Sequence, residues 1–271
     1  MTMLEVTNLT VRYRGAERLA VDQVSFTLGP GEVLGIVGES GSGKTTLAMA
    51  LLGLLPPGAQ VAGSVRFDGQ DLLRSSEKQL RKLRGSQISA IMQNASTALN
   101  PSFTIGSQLI ALLRRHRRLS RQQARAEAVS WLGKVGIPAP ESKLSFYPHQ
   151  LSGGMNQRVV IAMALALQPR MVLADEPTSA LDVTVQAAVL SLLRTLIDDS
   201  ASAMALITHD LGVVAQMCTQ VVVMNGGVVV ESGPVSELFV AARHEYTRRL
   251  LASLPGRRPR PSSLHPAGGS T

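Results

Sequence analysis

The stretch Val33-Leu34-Gly35-Ile36-Val37-Gly38-Glu39-Ser40-Gly41-Ser42-Gly43-Lys44-Thr45 decides the fold. Its first five residues form an apolar run, which is typical of a strand buried on both faces of a parallel sheet. The next eight match the pattern G-x-x-x-x-G-K-[ST], and a helical pattern starts at Lys44. Glycines let backbone N–H groups converge on phosphate oxygens, and a helix start adds partial positive charge. The stretch therefore predicts a phosphate-binding loop between a strand and a helix.

The residues of this loop have different expected tasks. We expect the Lys44 ammonium to reach the β and γ phosphates of a nucleotide, and the Thr45 hydroxyl to ligate Mg²⁺. The alternative is a Gly/Ser-rich turn without a ligand, which leaves the flanking strand and helix unexplained. The residues expected to bind the nucleotide are Gly38, Glu39, Ser40, Gly41, Ser42, Gly43, Lys44, Thr45 and Thr46.

A second apolar run, Met171 to Ala174, ends in two adjacent carboxylates, Asp175 and Glu176. Ligands of open α/β sheets bind at the carboxyl ends of the strands, so we expect Asp175 to hold Mg²⁺ there. Strand alternation predicts that Glu176 points the other way, where it would orient or deprotonate an attacking water. A solvated acidic loop is the alternative, which the phosphate loop elsewhere in the chain disfavours. Together the two motifs predict a P-loop nucleotide hydrolase.

The composition restricts the class of protein. The chain has 271 residues, and its 27 Lys and Arg against 19 Asp and Glu give a net charge of +8. Residues 114–125 contain six arginines and no acid, and residues 243–260 contain six arginines and one acid, so the remainder is mildly acidic. One cysteine, Cys218, excludes an intramolecular disulfide and a cysteine-rich metal cluster. No uncharged apolar run reaches the roughly 18 residues of a membrane span.

Strand and helix patterns alternate along the chain except between 94 and 168, where helical periodicity dominates. We therefore predict an α/β fold with a helical insertion in a parallel sheet. The helix after the phosphate loop is expected to run from Lys44 to about Leu55, and a further strand is expected from Val65 to Asp68. After Leu254 the Pro/Gly/Ser-rich sequence predicts a disordered tail.

A third motif, Leu151-Ser152-Gly153-Gly154-Met155, precedes another helical pattern. Ser152 is a suitable N-cap, and the two glycines leave the backbone open to a phosphate. A glycine-containing linker is the alternative. With the other two motifs, this one resembles the LSGGQ signature of ABC transporter ATP-binding subunits, with Met155 in place of glutamine. The resemblance covers roughly residues 4 to 250 and implies a RecA-like P-loop core with an antiparallel β subdomain and an inserted α-helical subdomain.

The resemblance divides the chain into four parts. These are 1–93, the ATPase core with the β subdomain and phosphate loop; 94–168, the helical subdomain ending in the signature; 169–250, the second part of the core; and 251–271, a basic disordered tail. In the family the signature meets the γ-phosphate bound by a partner subunit. The resemblance thus implies ATP contacts from Ser152, Gly153 and Gly154, and places Asp182 at the dimer seam.

Three more positions match the family. Tyr13 falls where an aromatic residue stacks on adenine, although an ordinary strand-end tyrosine is the alternative. Gln93 matches the glutamine that contacts Mg²⁺ or the water, and His209 matches the histidine that senses the γ-phosphate. The implied catalytic residues are Glu176, His209, Gln93 and Lys44, and the implied Mg²⁺ ligands are Thr45, Gln93 and Asp175.

Three stretches are similar to the dipeptide, oligopeptide and nickel importer branch of the family. They are Thr97-Ala98-Leu99-Asn100-Pro101, Tyr147-Pro148-His149-Gln150-Leu151-Ser152-Gly153-Gly154-Met155 and His244-Glu245-Tyr246-Thr247-Arg248-Arg249-Leu250-Leu251. Glu245 stands where the branch has proline, and the cysteine cluster of many peptide members has no counterpart. The Gln93-Asn94 pair favours nickel or metallophore import slightly.

The resemblance implies an ATP hydrolase that energises uptake of peptides or nickel chelates. Its expected partners are a second ATP-binding subunit, two transmembrane permease subunits and a periplasmic or lipid-anchored solute-binding protein, with no nucleic acid. Its expected location is the cytoplasmic face of the bacterial inner membrane, as a peripheral subunit. The alternative is a soluble ABC-type ATPase acting on nucleic acid or ribosomes, which the basic charge favours and the single cassette without sustained heptads disfavours. Residues 114–125 would meet anionic headgroups or acidic permease loops, or form a solvated helix face.

Overall fold

The computed structural model describes residues 2–93 and 95–254, and the strands in these residues form two sheets. The strands are β1 (Leu4–Arg12), β2 (Val21–Leu28), β3 (Val33–Val37), β4 (Gln60–Phe67), β5 (Gln70–Asp71), β6 (Ile88–Ile91), β7 (Met171–Asp175), β8 (Ala203–Thr208), β9 (Gln220–Asn225) and β10 (Val228–Pro234). The helices are α1 (Lys44–Leu51), α2 (Glu77–Leu83), α3 (Ala95–Ala98), α4 (Ile105–His116), α5 (Arg121–Lys134), α6 (Pro140–Lys143), α7 (Gly153–Leu165), α8 (Val183–Ser200), α9 (Leu211–Met217), α10 (Val235–Ala241) and α11 (Glu245–Ala252). The α/β class is confirmed.

The larger sheet has the strand order β10-β9-β3-β8-β7-β6. Its pairs are parallel except for β10, which runs antiparallel to β9. Alternate residues of β3 join different buried clusters. Val33 and Val37 belong to the cluster that includes α9 and the helices between β6 and β7, whereas Leu34 and Ile36 belong to the cluster that includes α1 and the smaller sheet. The carboxyl ends of the five parallel strands β6, β7, β8, β3 and β9 lie at one edge of this sheet, where open α/β sheets bind ligands.

The smaller sheet is antiparallel and has the order β2-β1-β4-β5. It covers α1, because Leu4 and Phe67 share a buried cluster with Leu47 and Leu51 of that helix. The predicted antiparallel β part of the core is therefore present, and it holds the helix that follows the phosphate loop.

Between β6 and β7 the described elements are helical, as the sequence predicts. Helices α4 and α5 pack together through Leu109, Leu113 and Ala128, which are fully buried. Thr104 and Ser120 cap their starts, with side-chain oxygens that accept hydrogen bonds from the backbone N–H groups three residues on. The inserted helical layer thus has its own apolar packing and its own helix starts.

Two element boundaries differ from the prediction. Helix α1 ends at Leu51 rather than near Leu55, because Gly53 adopts φ +63° and closes the helix before the two prolines. Strand β4 begins at Gln60, five residues before the predicted Val65, and pairs there with Arg12 of β1. Its first residues are exposed and carry no alternation of apolar side chains, so only pairing with β1 makes them a strand.

The end of the chain is helical further than the predicted boundary at 251. Helix α11 continues to Ala252 and buries Leu251, which is 4% exposed. The rest of the predicted tail, from 255 to 271, lies outside the described residues, as does Asn94. Within the part of the chain that the structure describes, no helix combines the length and apolar character needed to cross a membrane.

Candidate functional site

A cleft of about 1050 Å³ opens at the carboxyl edge of the larger sheet. The segments that follow β3, β6, β7, β8 and β9 border it, and so five segments distant in sequence meet there. The predicted site residues that line the cleft are Gly38, Glu39, Ser40, Gly41, Gly43, Lys44, Thr45, Thr46, Gln93, Asp175, Glu176 and His209. Ser42 is buried beside them, with its hydroxyl 3.3 Å from the Lys44 ammonium.

The phosphate loop needs glycine at two of its positions. A Cβ on Gly38 would lie 2.2 Å from the carbonyl oxygen of Met224, and one on Gly43 would lie 2.3 Å from that of Ala20. Gly43 also adopts φ +99°, immediately before α1. The loop is therefore pressed against its neighbours, and its backbone passes into a helix start whose first N–H groups have no partner within the helix. Such a loop suits an anion.

Lys44 is 7% exposed and folds back on the loop. Its ammonium donates hydrogen bonds to the carbonyl oxygens of Gly38 and Glu39, at 2.7 and 2.8 Å. Burial lowers the pKa of Lys44, and the nearby carboxylates of Glu176 and Asp175 act in the opposite direction. The charged form thus faces two carboxylates across the cleft and can turn towards an anion there.

The two adjacent carboxylates both line the cleft, which corrects the prediction that they point in opposite directions. Alternation fails because β7 ends at Asp175, and Glu176 has left the strand with φ +44°. Asp175 is 5% exposed, and burial, followed by the charge of Glu176, raises its pKa while Lys44 lowers it. The edge of the sheet therefore holds closely spaced negative charge.

Glu176 joins residues from the two neighbouring strands. Its Oε2 accepts a hydrogen bond from Nε2 of Gln93, at 2.8 Å, and its Oε1 lies 2.9 Å from Nδ1 of His209. Gln93 follows β6 and His209 follows β8, so the contacts cross three adjacent strands. Both oxygens of this carboxylate are held, and its position next to Lys44 and Asp175 suits activation of a water at an anion.

Tyr13 contacts the cleft without being part of its described lining. Its hydroxyl lies 3.0 Å from the hydroxyl of Thr46, which does line the cleft. The strand-end tyrosine is thus tied to the first turn of α1, beside the expected nucleotide.

Four predicted residues, Ser152, Gly153, Gly154 and Asp182, lie elsewhere. With Leu181 and Val185, which contact Gly153 and Gly154, they form a second cluster that we call the signature corner. Ser152 caps α7 by accepting the N–H of Met155 at 3.3 Å, and Asp182 caps α8 by accepting the N–H of Val185 at 3.0 Å. A Cβ on Gly154 would lie 2.6 Å from Cγ1 of Val185, so the two helix starts are in close contact. None of these residues belongs to the described lining of the cleft.

Several cleft residues were not predicted. Arg18, Leu19, Ala20 and Asp22 precede or begin β2, and Gly226-Gly227 forms the turn after β9. The glycine pair is a turn signal, but nothing in the sequence shows that this turn faces the phosphate loop. Leu250 and Ser253 complete the lining from the C-terminal side.

The cleft residues suit a divalent cation that arrives with phosphates. Thr45, Gln93 and Asp175 offer oxygen ligands, which Mg²⁺ prefers. Burial and, second to it, the charge of Glu176 raise the pKa of Asp175, and a cation would offset that charge. Among the described residues no group of three or more His, Cys, Asp or Glu side chains is arranged to hold a metal. Mg²⁺ in phosphoryl-transfer sites needs only one or two side chains together with the substrate phosphates.

The chain is similar to several known proteins. A family model described as ABC transporter matches residues 21–179. The dipeptide transport ATP-binding protein DppD of Escherichia coli is 46% identical over 258 residues, which cover 94% of this chain and 79% of DppD. The oligopeptide transport ATP-binding protein OppD of Bacillus subtilis is 46% identical over 257 residues, covering 93% of this chain and 72% of OppD.

Solved structures with the same fold are also similar in sequence. The ATP-binding cassette MJ0796, in a dimeric post-hydrolysis state bound to ADP and Pi, superimposes with a TM-score of 0.76 at 29% identity, covering 86% of this chain and 99% of that one. CbiO1 of Clostridium perfringens, part of the ABC transporter complex cbiONQ, gives a TM-score of 0.75 at 27% identity, covering 94% and 96%.

Proposed function

Because this chain belongs to the ABC transporter family, we propose that it is the ATP-hydrolysing subunit that energises a peptide importer. The observation that carries the proposal is the meeting of the phosphate loop, Asp175, Glu176, Gln93 and His209 in one cleft. The relatives DppD and OppD are named for dipeptide and oligopeptide transport, which supports peptide as the cargo. Import of nickel chelates stays a prediction from the sequence.

The phosphate loop binds ATP in this proposal. The Lys44 ammonium leaves the carbonyl oxygens of Gly38 and Glu39 and meets the β and γ phosphates, which compete for it with their larger negative charge. The loop glycines let the backbone approach these phosphates, and the start of α1 adds its partial positive charge. Tyr13 stacks on the adenine beside Thr46.

Thr45, Gln93 and Asp175 would hold Mg²⁺ with the phosphates. When bound, the ion supplies positive charge to the γ-phosphate oxygens. These side chains are placed for that task because each of them lines the cleft next to the loop. The proposed ligands therefore come from α1 and from the ends of β6 and β7.

Glu176 is the proposed general base. It orients a water for in-line attack on the γ-phosphorus; a new P–O bond forms, the bond to the β-γ bridging oxygen breaks, ADP leaves, and the proton of the water passes to the carboxylate. Gln93 and His209 hold this carboxylate in the present structure, which supports its proposed orientation. His209 then senses whether the γ-phosphate is present.

The signature corner is proposed to complete the site of a second ATP-binding subunit. Ser152, Gly153 and Gly154 present a capped helix start with two glycines, and Asp182 lies beside them at the start of α8. A helix start of this kind attracts a γ-phosphate. The dimeric state of the similar cassette MJ0796 supports the pairing.

The remaining partners follow from the family. We propose two permease subunits, contacted through Gln93 and the helical part 94–168, and a periplasmic or lipid-anchored solute-binding protein, with no nucleic acid. In this proposal the ATPase core consists of residues 1–93 and 169–250. The subunit would be peripheral on the cytoplasmic face of the bacterial inner membrane, where the arginines of 114–125 can approach anionic headgroups or acidic permease loops.

The decisive experiment is co-purification of the full chain with its proposed permease subunits, followed by ATPase measurement with loaded binding protein. We expect peptide-loaded binding protein to stimulate turnover and Lys44→Ala to remove it. Stimulation by nickel-chelate-loaded protein alone would replace peptide as the cargo. Failure to bind any permease, together with stimulation by nucleic acid or ribosomes, would replace import by the alternative function.

A further inference from the structure

The last described helix, α11, touches the phosphate loop. The hydroxyl oxygen of Tyr246 accepts a hydrogen bond from the backbone N–H of Glu39 at 2.9 Å, although the two residues are 207 positions apart in sequence. Leu250 and Ser253, one and two turns further along, line the cleft itself. The same short segment thus supplies a wall of the cleft and a contact to the loop that the cleft depends on.

The start of α11 is anchored independently of the cleft. The Glu231 carboxylate on β10 accepts hydrogen bonds from the backbone N–H groups of Arg243 and His244, at 2.7 and 3.1 Å. The His244 ring caps the helix by accepting the N–H of Tyr246 at 3.2 Å. Because Leu251 and the Tyr246 ring are buried in the larger core, the Tyr246 hydroxyl has a fixed position.

The Gly38-Glu39 segment is held from two sides in this structure. Lys44 binds its carbonyl oxygens, and Tyr246 binds the Glu39 N–H. If Lys44 turns to the phosphates when ATP binds, the first of these restraints is lost at the moment when the loop must keep its shape. The Tyr246 contact is made to the Glu39 N–H and not to the carbonyl oxygens that Lys44 releases, so it can persist when Lys44 turns. Burial also raises the pKa of Tyr246, which keeps the hydroxyl neutral near pH 7.

We propose that Tyr246 is a positioning residue for the phosphate loop, and that α11 is an integral wall of the ATP cleft. The proposal rests on the assignment of that cleft as the ATP site. Tyr246 acts through the backbone of Glu39 and does not touch the nucleotide. Its hydroxyl holds the first turn of the loop in the shape that binds phosphate, while its ring only packs.

The test is the ATP affinity of the purified full-length chain, measured by displacement of a fluorescent ATP analogue. Tyr246→Phe keeps the ring and removes the hydroxyl, and we expect the Kd for ATP to rise about 3- to 10-fold, the effect of one lost hydrogen bond. In the complex with its permeases, KM for ATP should rise by a similar factor while kcat stays within about twofold, because the chemical step does not use Tyr246.

A matched control separates this role from general stability. Ser202→Ala removes another buried hydroxyl, which donates to the carbonyl oxygen of Pro169 at 2.6 Å near the opposite end of β8. It should lower Tm without changing the Kd for ATP. An unchanged Kd in Tyr246→Phe, or an equal rise in Ser202→Ala, would overturn the proposal. Lys44→Ala tests the site itself: if that variant binds ATP normally, the cleft assignment fails, whatever Tyr246→Phe does.

Discussion

The cleft and the signature corner contain most of the predicted site residues. They differ in whether the polar side chains contact one another or are used to cap helices. In the cleft, residues from three neighbouring strands contact one another: Gln93, Glu176 and His209 form a connected group. At the signature corner, the polar side chains of Ser152 and Asp182 are used to cap helices. The corner offers a helix start to a ligand, and none of its residues belongs to the described lining of the cleft.

This difference separates residues that act within one chain from residues that act across an interface. Changes in the cleft should affect the isolated subunit and the assembled complex alike. Changes at the corner should leave ATP binding by the isolated subunit intact and appear only when two subunits meet.

The largest effect is expected from Glu176→Gln in the cleft. The amide keeps the shape of the side chain and its contact with Gln93, but it cannot accept a proton from water. Steady-state ATPase activity of the assembled complex should fall about 100- to 10,000-fold, while ATP still binds. Glu237→Gln, the same change on an exposed glutamate of α10, should leave turnover within about twofold. Near-normal activity of Glu176→Gln would remove the general base from the cleft.

A smaller effect is expected from Ser152→Ala at the signature corner. The hydroxyl caps α7, so its loss should lower the free energy of unfolding by about 1 kcal/mol. If the hydroxyl also meets the partner's γ-phosphate, ATPase activity of the complex should fall about 10- to 100-fold, the range for a hydrogen bond to a charged group. The Kd for ATP of the isolated chain should not change.

Ser120→Ala is the matched control, because Ser120 caps α5 with the same geometry. It should cost a similar free energy of unfolding and leave ATPase activity unchanged. Equal losses of activity in both variants would mean that the serine at the corner only caps its helix. A weakened Kd for ATP in the isolated Ser152→Ala chain would erase the distinction between the two regions.

The sequence predicts the cleft better than its surroundings, for physical reasons. The apolar runs of β3 and β7 are local signals, and each leads directly into polar residues that the parallel sheet brings to one edge. The direction of Glu176 is not predictable in this way, because its positive φ ends the alternation. The contact of Tyr246 with Glu39 joins residues 207 positions apart and leaves no local pattern.

A moderate effect on the Kd for ATP is expected from changes at Tyr13, which test whether the ATP site extends to this residue. Tyr13→Ala removes the ring proposed to stack on adenine and should raise the Kd for ATP about 5- to 10-fold, the low end for base stacking. Tyr13→Phe removes only the hydroxyl that contacts Thr46, and should change the Kd about twofold or less. Equal Kd values for the two variants would assign the effect to the hydroxyl and leave the base without a stacking partner at this position.

The smallest effect is expected in the absence of ATP, from Asp175→Asn. The folded chain raises the pKa of Asp175, chiefly by burial, so the ionised carboxylate destabilises the nucleotide-free fold. In buffer with EDTA at pH 7, the amide should raise the free energy of unfolding by on the order of 1 kcal/mol, or Tm by about 2–4 °C. Because the pKa of Asp175 is raised in the folded chain, the variant's gain in the free energy of unfolding is fully present above that raised pKa. The gain disappears as the pH falls towards the ordinary pKa range of aspartate, where the carboxyl group of the unchanged chain is protonated.

Asp182→Asn makes the same chemical change at the signature corner. Because asparagine caps helices about as well as aspartate, that variant should keep the Tm of the unchanged chain at pH 7. If Asp175→Asn is stabilised and Asp182→Asn is not, the ionised carboxylate in the cleft lowers the stability of the nucleotide-free fold, and the carboxylate at the signature corner does not. A gain that persists undiminished at low pH would contradict this, because the aspartate is then protonated in both states and the amide has no charge to remove.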